Sequence, residues 1–165
     1  MSEPAISVIV PVRDLRNFIG EALASIQAQS RPVQEVLVID DGSRDGTAEL
    51  LRDMAARDSR LRLLSGEGRG APAARNIGLR AARGDIIAFL DGDDIWPKDM
   101  IGRQLERLAA HDRPDIVSGL VQRFRIFDAS EFHLVPLDTL IAIDSRKSGL
   151  DVAIFCRLTG NLKKR

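Results

Sequence analysis

The chain has 165 residues, 24 Lys and Arg against 24 Asp and Glu, 44% hydrophobic residues, six Phe, one Trp and no Tyr. This is the length of one hydrophobic core, with the composition of a folded rather than a disordered chain. Zero formal charge gives no general pull towards nucleic acid or an anionic membrane, and so few aromatics leave little on which to stack single-stranded bases, so no nucleic-acid partner is expected.

Short β-branched runs alternate with longer amphipathic stretches, the pattern of βα units on a parallel sheet. Ile6–Val10 predicts a first strand, stopped by Pro11. Leu15 to Gln29 predicts a helix whose buried face is Phe18, Ile19, Ala22, Leu23 and Ile26, broken by Arg31-Pro32. Val36–Ile39 predicts a strand buried on both faces, ending in Asp40-Asp41-Gly42-Ser43. Thr47 is placed to cap a helix to about Arg57, with Leu50, Leu51 and Met54 inward. Leu61–Leu64 predicts a third strand, Gly66–Gly70 the most flexible stretch of the chain, and Pro72 to Ala82 another helix. Ile86–Leu90 predicts a fourth strand running into Asp91-Gly92-Asp93-Asp94, and Pro97 is expected to open a helix through Leu108. Ile116 to Phe127 reads as a strand or hairpin arm; beyond Asp128 the pattern loses clarity.

In an open parallel sheet the ligand crevice lies outside the carboxyl ends of the strands, so the residues after each apolar run carry the chemistry. They are acidic: Asp40, Asp41, Asp91, Asp93 and Asp94. Five carboxylates on one edge repel one another, a cost that a divalent cation or ligand hydroxyls usually offset. Cys156 with His111 and His133 makes too few ligands for a zinc cage, so any metal sits on carboxylates. Asp91 and Asp93, with the small Gly92 between them, suit Mg²⁺ or Mn²⁺ with positions left open for phosphate oxygens, although a lone Asp-Gly-Asp is more often a polar helix-capping turn. Arg75, in the first turns of a helix, is the cation best placed to meet a bound diphosphate; Arg69 and Arg80 read as solvated. Asp41 to Gly46 mimics the start of a calcium loop, but Arg52 stands where its bidentate Glu is needed. Gly66-x-Gly68-x-x-Ala71 formally matches a dinucleotide fingerprint but follows the wrong strand, and reads better as a mobile loop.

Four segments in order, Val8–Val12, Val38–Thr47, Ala73–Gly78 and Phe89–Asp94, resemble the family 2 (GT-A fold) glycosyltransferases over roughly residues 5 to 110. The resemblance implies an α/β, Rossmann-like three-layer sandwich with a mainly parallel central sheet. It implies a nucleotide-sugar donor, commonly a UDP-sugar, bound with Mg²⁺ or Mn²⁺, and hexosyl transfer with inversion to a saccharide or lipid-linked acceptor, as in cell-envelope polysaccharide synthesis. On this chain it puts Pro11 and Arg13 at the nucleobase, Asp41 on the base or ribose, and Arg75 near the nucleotide. It makes Asp93 the direct metal ligand and turns Asp91, beside Gly92, to the ribose or the metal's waters.

Two features depart from the family pattern. Arg13-Asp14 stands where many members have an aromatic residue and Asn, so a guanidinium replaces ring stacking on the base. Residues 95–165 contain no Glu-Asp pair to act as the family's general base, which stays unassigned. The expected division is residues 1–128 as the nucleotide-sugar-binding domain and 129–165 as a short extension, a truncated or atypical acceptor region. Two alternatives follow: a non-catalytic nucleotide-sugar-binding or assembly domain, and a phosphatase of the haloacid dehalogenase type with Asp91 as nucleophile. With no leader and no apolar run of spanning length, the expected location is cytoplasmic. The tail, with Val152–Phe155 and Lys163–Arg165, is read as an amphipathic helix for peripheral membrane contact or an oligomer contact.

Overall fold

A computed structural model describes residues 4–109 and, beyond them, four short strands. In chain order the elements are β1 (Ile6–Val12), α1 (Ile19–Gln27), β2 (Glu35–Asp40), α2 (Thr47–Ala55), β3 (Leu61–Ser65), α3 (Ala71–Ala81), β4 (Ile86–Phe89), α4 (Met100–Leu108), β5 (Ile116–Ser118), β6 (Phe124–Ile126), β7 (Phe132–Leu134) and β8 (Ile154–Arg157). The main sheet has the order β3-β2-β1-β4-β8-β5, parallel among the first four and antiparallel where β8 meets β4 and β5; β6 and β7 pair separately.

Period-2 alternation sorts the strands' side chains into two cores. Val8, Val10, Val36, Val38 and Ala88 face α1, α2 and α4 through Leu23, Leu51 and Ile101, whereas Ile9, Leu37, Ile39 and Ile87 face α3 through Ala74. Helices therefore cover both faces, the expected three layers. A Cβ on Gly78 would lie 2.6 Å from Ile9 Cγ2 and 3.0 Å from Ile39 Cδ1, so this glycine lets α3 settle on the sheet.

Several expectations are corrected. Pro11 does not stop β1, which continues to Val12 with Pro11 opposite Ile39. Ile6 and Val12 offer their carbonyls to Gln34 and Asp41 on the β2 side, whereas Ile9 faces β4. Pro11 shares the parity of Ile9 and points its missing N–H to a side where β4 has already ended at Phe89. Phe18 precedes α1 and is exposed rather than buried. Thr47 begins α2 instead of capping it; its amide is taken by Asp45 Oδ1 at 3.0 Å, and its hydroxyl accepts from the Leu15 amide. Pro97 lies before α4, which starts at Met100 after a turn closed by the Pro97 carbonyl. Ile154 and Phe155 belong to strand β8, in register with Phe155 opposite Ala88, and not to a helix. The expected boundary at residue 128 lies outside the described residues, as do Lys163–Arg165.

Candidate nucleotide site

The strand order turns back between β1 and β4: β2 and β3 extend the sheet on one side of β1, and the chain then returns through α3 to place β4 on the other. At such a reversal the connecting helices diverge onto opposite faces and leave a crevice beyond the carboxyl ends. Pro11 and Arg13 come from the end of β1, Asp41 from the end of β2, and Asp91, Gly92 and Asp93 from the end of β4, so the sheet brings six of the seven expected site residues to this edge. Arg75 joins them from the second turn of α3.

Asp41 is buried, and its carboxylate is wrapped by the glycine loop. Oδ1 accepts the Gly68 amide at 2.8 Å and Oδ2 accepts the Gly70 amide at 2.7 Å. Gly68 and Gly70 adopt φ of +70° and +89°, which turns these amides inward. Gly66 passes so close that a Cβ there would lie 2.4 Å from Asp41 Oδ1 and 2.7 Å from its Cα. Burial pushes the Asp41 pKa up, but the amides of residues 68–70 and the nearby Arg13 charge outweigh it and hold the carboxyl below its usual value. The stretch expected to be mobile is thus tied to the buried acid.

Arg75 Nη2 donates to Asp91 Oδ1 at 2.5 Å, with both side chains partly exposed. Gly92 is buried, and a Cβ on it would come within 2.9 Å of Leu15 Cδ1 and 3.2 Å of Val12 Cγ2. Asp93 is exposed, and its side chain has no hydrogen bond or ion pair among the described residues. Asp40 accepts the Ser43 amide at 3.0 Å. Three of the five acids, Asp40, Asp41 and Asp91, are thus met by backbone amides or by an arginine of the chain itself. Among the described residues, no three His, Cys, Asp or Glu side chains gather as a metal cluster.

The rim beside Asp41 is made of two loops fastened together. The Asp14 amide donates to Ser43 Oγ at 2.9 Å, Asp14 Oδ1 accepts the Arg44 amide at 2.7 Å, and Asp45 Oδ2 accepts the Arg16 amide at 3.0 Å. Asp14 sits at φ 54°, a left-handed position that Asp tolerates better than most residues. Arg13 is half-exposed, with Nε 3.9 Å from Asp14 Oδ2. Sequence reasoning named Arg13 but missed Asp14 as the residue that ties the rim, although an Asp beside a strand end was a signal. Arg69 is exposed and pairs with Glu67 at 3.1 Å, as expected of a solvated arginine.

The family model for glycosyl transferase family 2 matches residues 7–154. The chain belongs to that family. The assignment displaces the phosphatase reading of Asp91. Among family relatives, TuaG of Bacillus subtilis (strain 168), a glycosyltransferase named for teichuronic acid biosynthesis, is 40% identical over 105 residues, covering 63% of this chain and 42% of TuaG. Among solved structures, a mannosyltransferase from Pyrobaculum calidifontis in complex with GDP-Man and Mn²⁺ superposes with a TM-score of 0.65 and 32% identity over 74% of this chain and 37% of that one. Residues 1–349 of S. aureus TarS in complex with UDP-GlcNAc give 0.60 and 30%, over 68% of this chain and 33% of the other. The chain thus spans less than half the length of these relatives. No described helix is long and apolar enough to cross a membrane.

Proposed function

We propose that this chain is the donor-binding part of a metal-dependent, inverting glycosyltransferase that moves a hexosyl group from a UDP-sugar to a hydroxyl of a saccharide or lipid-linked acceptor. The observation that carries this reading is that Asp41 with its glycine loop and the Arg75–Asp91 pair both lie at the reversal of the sheet, with Asp93 at the same strand end and unpaired among the described residues. Solved relatives bound to UDP-GlcNAc or to GDP-Man with Mn²⁺ support it.

In this reading Pro11 and Arg13 border the nucleobase. Asp41 accepts from the base or ribose through the lone pairs that its loop amides leave free. Asp91, beside Gly92, meets the ribose or the metal's waters, and Arg75 adds positive charge near the diphosphate. Asp93 fits a hard divalent cation, Mg²⁺ or Mn²⁺, because it is an exposed oxygen donor without a competing partner among the described residues. Such a cation supplies charge neutralisation for the departing diphosphate.

Calorimetric titration with UDP and Mn²⁺, alongside a transfer or donor-hydrolysis assay, tests the reading. UDP binding strengthened by Mn²⁺ is expected, and Asp93→Ala is expected to weaken the Mn²⁺-dependent binding by about 100-fold, the scale of losing one charged ligand contact. No UDP binding at millimolar ligand would sink the proposal; binding without turnover would make the chain a nucleotide-sugar-binding or assembly domain instead. Tighter binding of GDP than UDP would overturn the base assignment alone.

A further inference from the structure

We infer that Arg75 keeps the divalent cation off the nucleotide-free site, so that the cation is held only together with a nucleoside diphosphate. This inference rests on the donor-site reading above and adds to it a rule of assembly. The guanidinium of Arg75 donates to Asp91 Oδ1 at 2.5 Å, an ion pair that needs no ligand to form. Its position is set by the scaffold: Ala74, the preceding residue, is fully buried against the sheet, and Gly78 one turn later seats α3 on Ile9 and Ile39. A guanidinium so placed takes one carboxylate lone pair and also repels an approaching cation.

The neighbouring acids do not compensate. Asp40 accepts the Ser43 amide, Asp41 is enclosed by the glycine loop, and no cluster of three metal-ligating side chains exists among the described residues. Among the described residues Asp93 is then an exposed carboxylate left to meet a cation, two residues along the chain from the Asp91 that Arg75 engages. One carboxylate holds Mg²⁺ or Mn²⁺ poorly, since such ions need several oxygens to replace their water, and a guanidinium on the neighbouring Asp91 weakens it further. A diphosphate changes both terms, because its negative oxygens ligate the cation and give Arg75 a second anionic partner. Cation and nucleotide must then strengthen each other's binding reciprocally.

The test is a Mn²⁺ titration of the nucleotide-free protein, following free Mn²⁺ by electron paramagnetic resonance. Arg75→Met is expected to bind Mn²⁺ at least about tenfold more tightly than the wild type, because it frees Asp91 and removes a positive charge. Adding Asp91→Asn in that background should cancel the gain, and Arg75→Lys should stay within about threefold of the wild type because it keeps the charge. Unchanged or weaker Mn²⁺ binding by Arg75→Met would overturn the inference. Should Arg75→Met lose its folded circular dichroism, Asp91→Asn alone decides: a change under about threefold supports the inference, and a loss of about tenfold or more overturns it, since Asp91 would then be a ligand in the empty site. The donor reading fails separately. If UDP leaves wild-type Mn²⁺ affinity unchanged while Arg75→Met still gains, the donor reading and the joint binding that rests on it fall, and only the exclusion of the cation by Arg75 stands.

Discussion

Glu35 opens β2 and Asp40-Asp41 close it, and the two ends of this one strand use their carboxylates differently. Glu35 is buried and fully partnered: Oε1 accepts Ser7 Oγ at 2.6 Å and the Arg83 amide at 2.7 Å, and Oε2 pairs with Arg62. These bonds join β1, β2, β3 and the turn into β4, a clamp across the amino-terminal edge. At the carboxyl-terminal edge Asp41 holds only a glycine loop, Asp91 meets a partly exposed arginine, and Asp93 is open. The same residue chemistry is closed into structure at one edge and left available at the other. The edge that keeps uncompensated charge is the one where a ligand can supply the compensation.

The largest expected effect breaks the closed edge. Glu35→Ala leaves the Ser7 hydroxyl, the Arg83 amide and Arg62 without their shared acceptor, and should destabilise the fold by about 3 kcal/mol. Chemical denaturation followed by circular dichroism reads this directly. A loss under about 0.5 kcal/mol, the scale of an ordinary surface change, would show that the clamp is not structural. At the open edge, Gly66→Ala forces a methyl into Asp41 and should cost about 2 kcal/mol, the scale of overpacking. It should also weaken UDP binding, whereas Glu35→Ala should leave UDP affinity of the folded fraction unchanged; equal effects of both on UDP affinity would erase the distinction between the edges.

How much of this was legible in the sequence follows the range of the interactions. Strands β1, β2 and β4 announced themselves because both faces are buried and their runs are mostly apolar, whereas β3, at the sheet edge and interrupted by Arg62, was marked by a shorter run. The site's location followed, since acids at strand ends need only local pattern. The pairs were not visible: Arg75 with Asp91 and Glu35 with Ser7, Arg62 and Arg83 depend on how α3 and the turns come back to the sheet. Strand β8 was missed because a four-residue apolar run fits a helix or a strand equally, and its partner β4 lies far away in sequence. Pro11 misled because proline is harmful in a strand only on a side where a neighbour still needs its N–H.

The smallest expected effect is a pH dependence at the closed edge. Beside the start of β3, the Arg60 guanidinium donates two hydrogen bonds to the Asp58 carboxylate, at 3.0 and 2.8 Å, the Arg60 amide a third at 3.0 Å, and Gln27 a fourth at 3.0 Å. The Arg60 side chain is the main cause that holds the Asp58 pKa down to about 2, against an ordinary value of 3.8. A carboxyl depressed in the folded state contributes its stability above the unfolded pKa and loses it as pH falls through the folded one. The contribution is thus complete above about pH 4 and vanishes towards pH 2, and with Arg60 partly exposed it amounts to about 1 to 2 kcal/mol. Asp58→Asn should therefore be less stable than the wild type at pH 7 by that amount and converge with it near pH 2. Glu35, held below 4.5 because the bonds from Ser7, Arg83 and Arg62 outweigh its burial, adds acid sensitivity of the same sign, so Asp58→Asn should keep part of the acid loss. A constant gap between the two proteins across that range would mean that Asp58 acts through packing rather than through its charge.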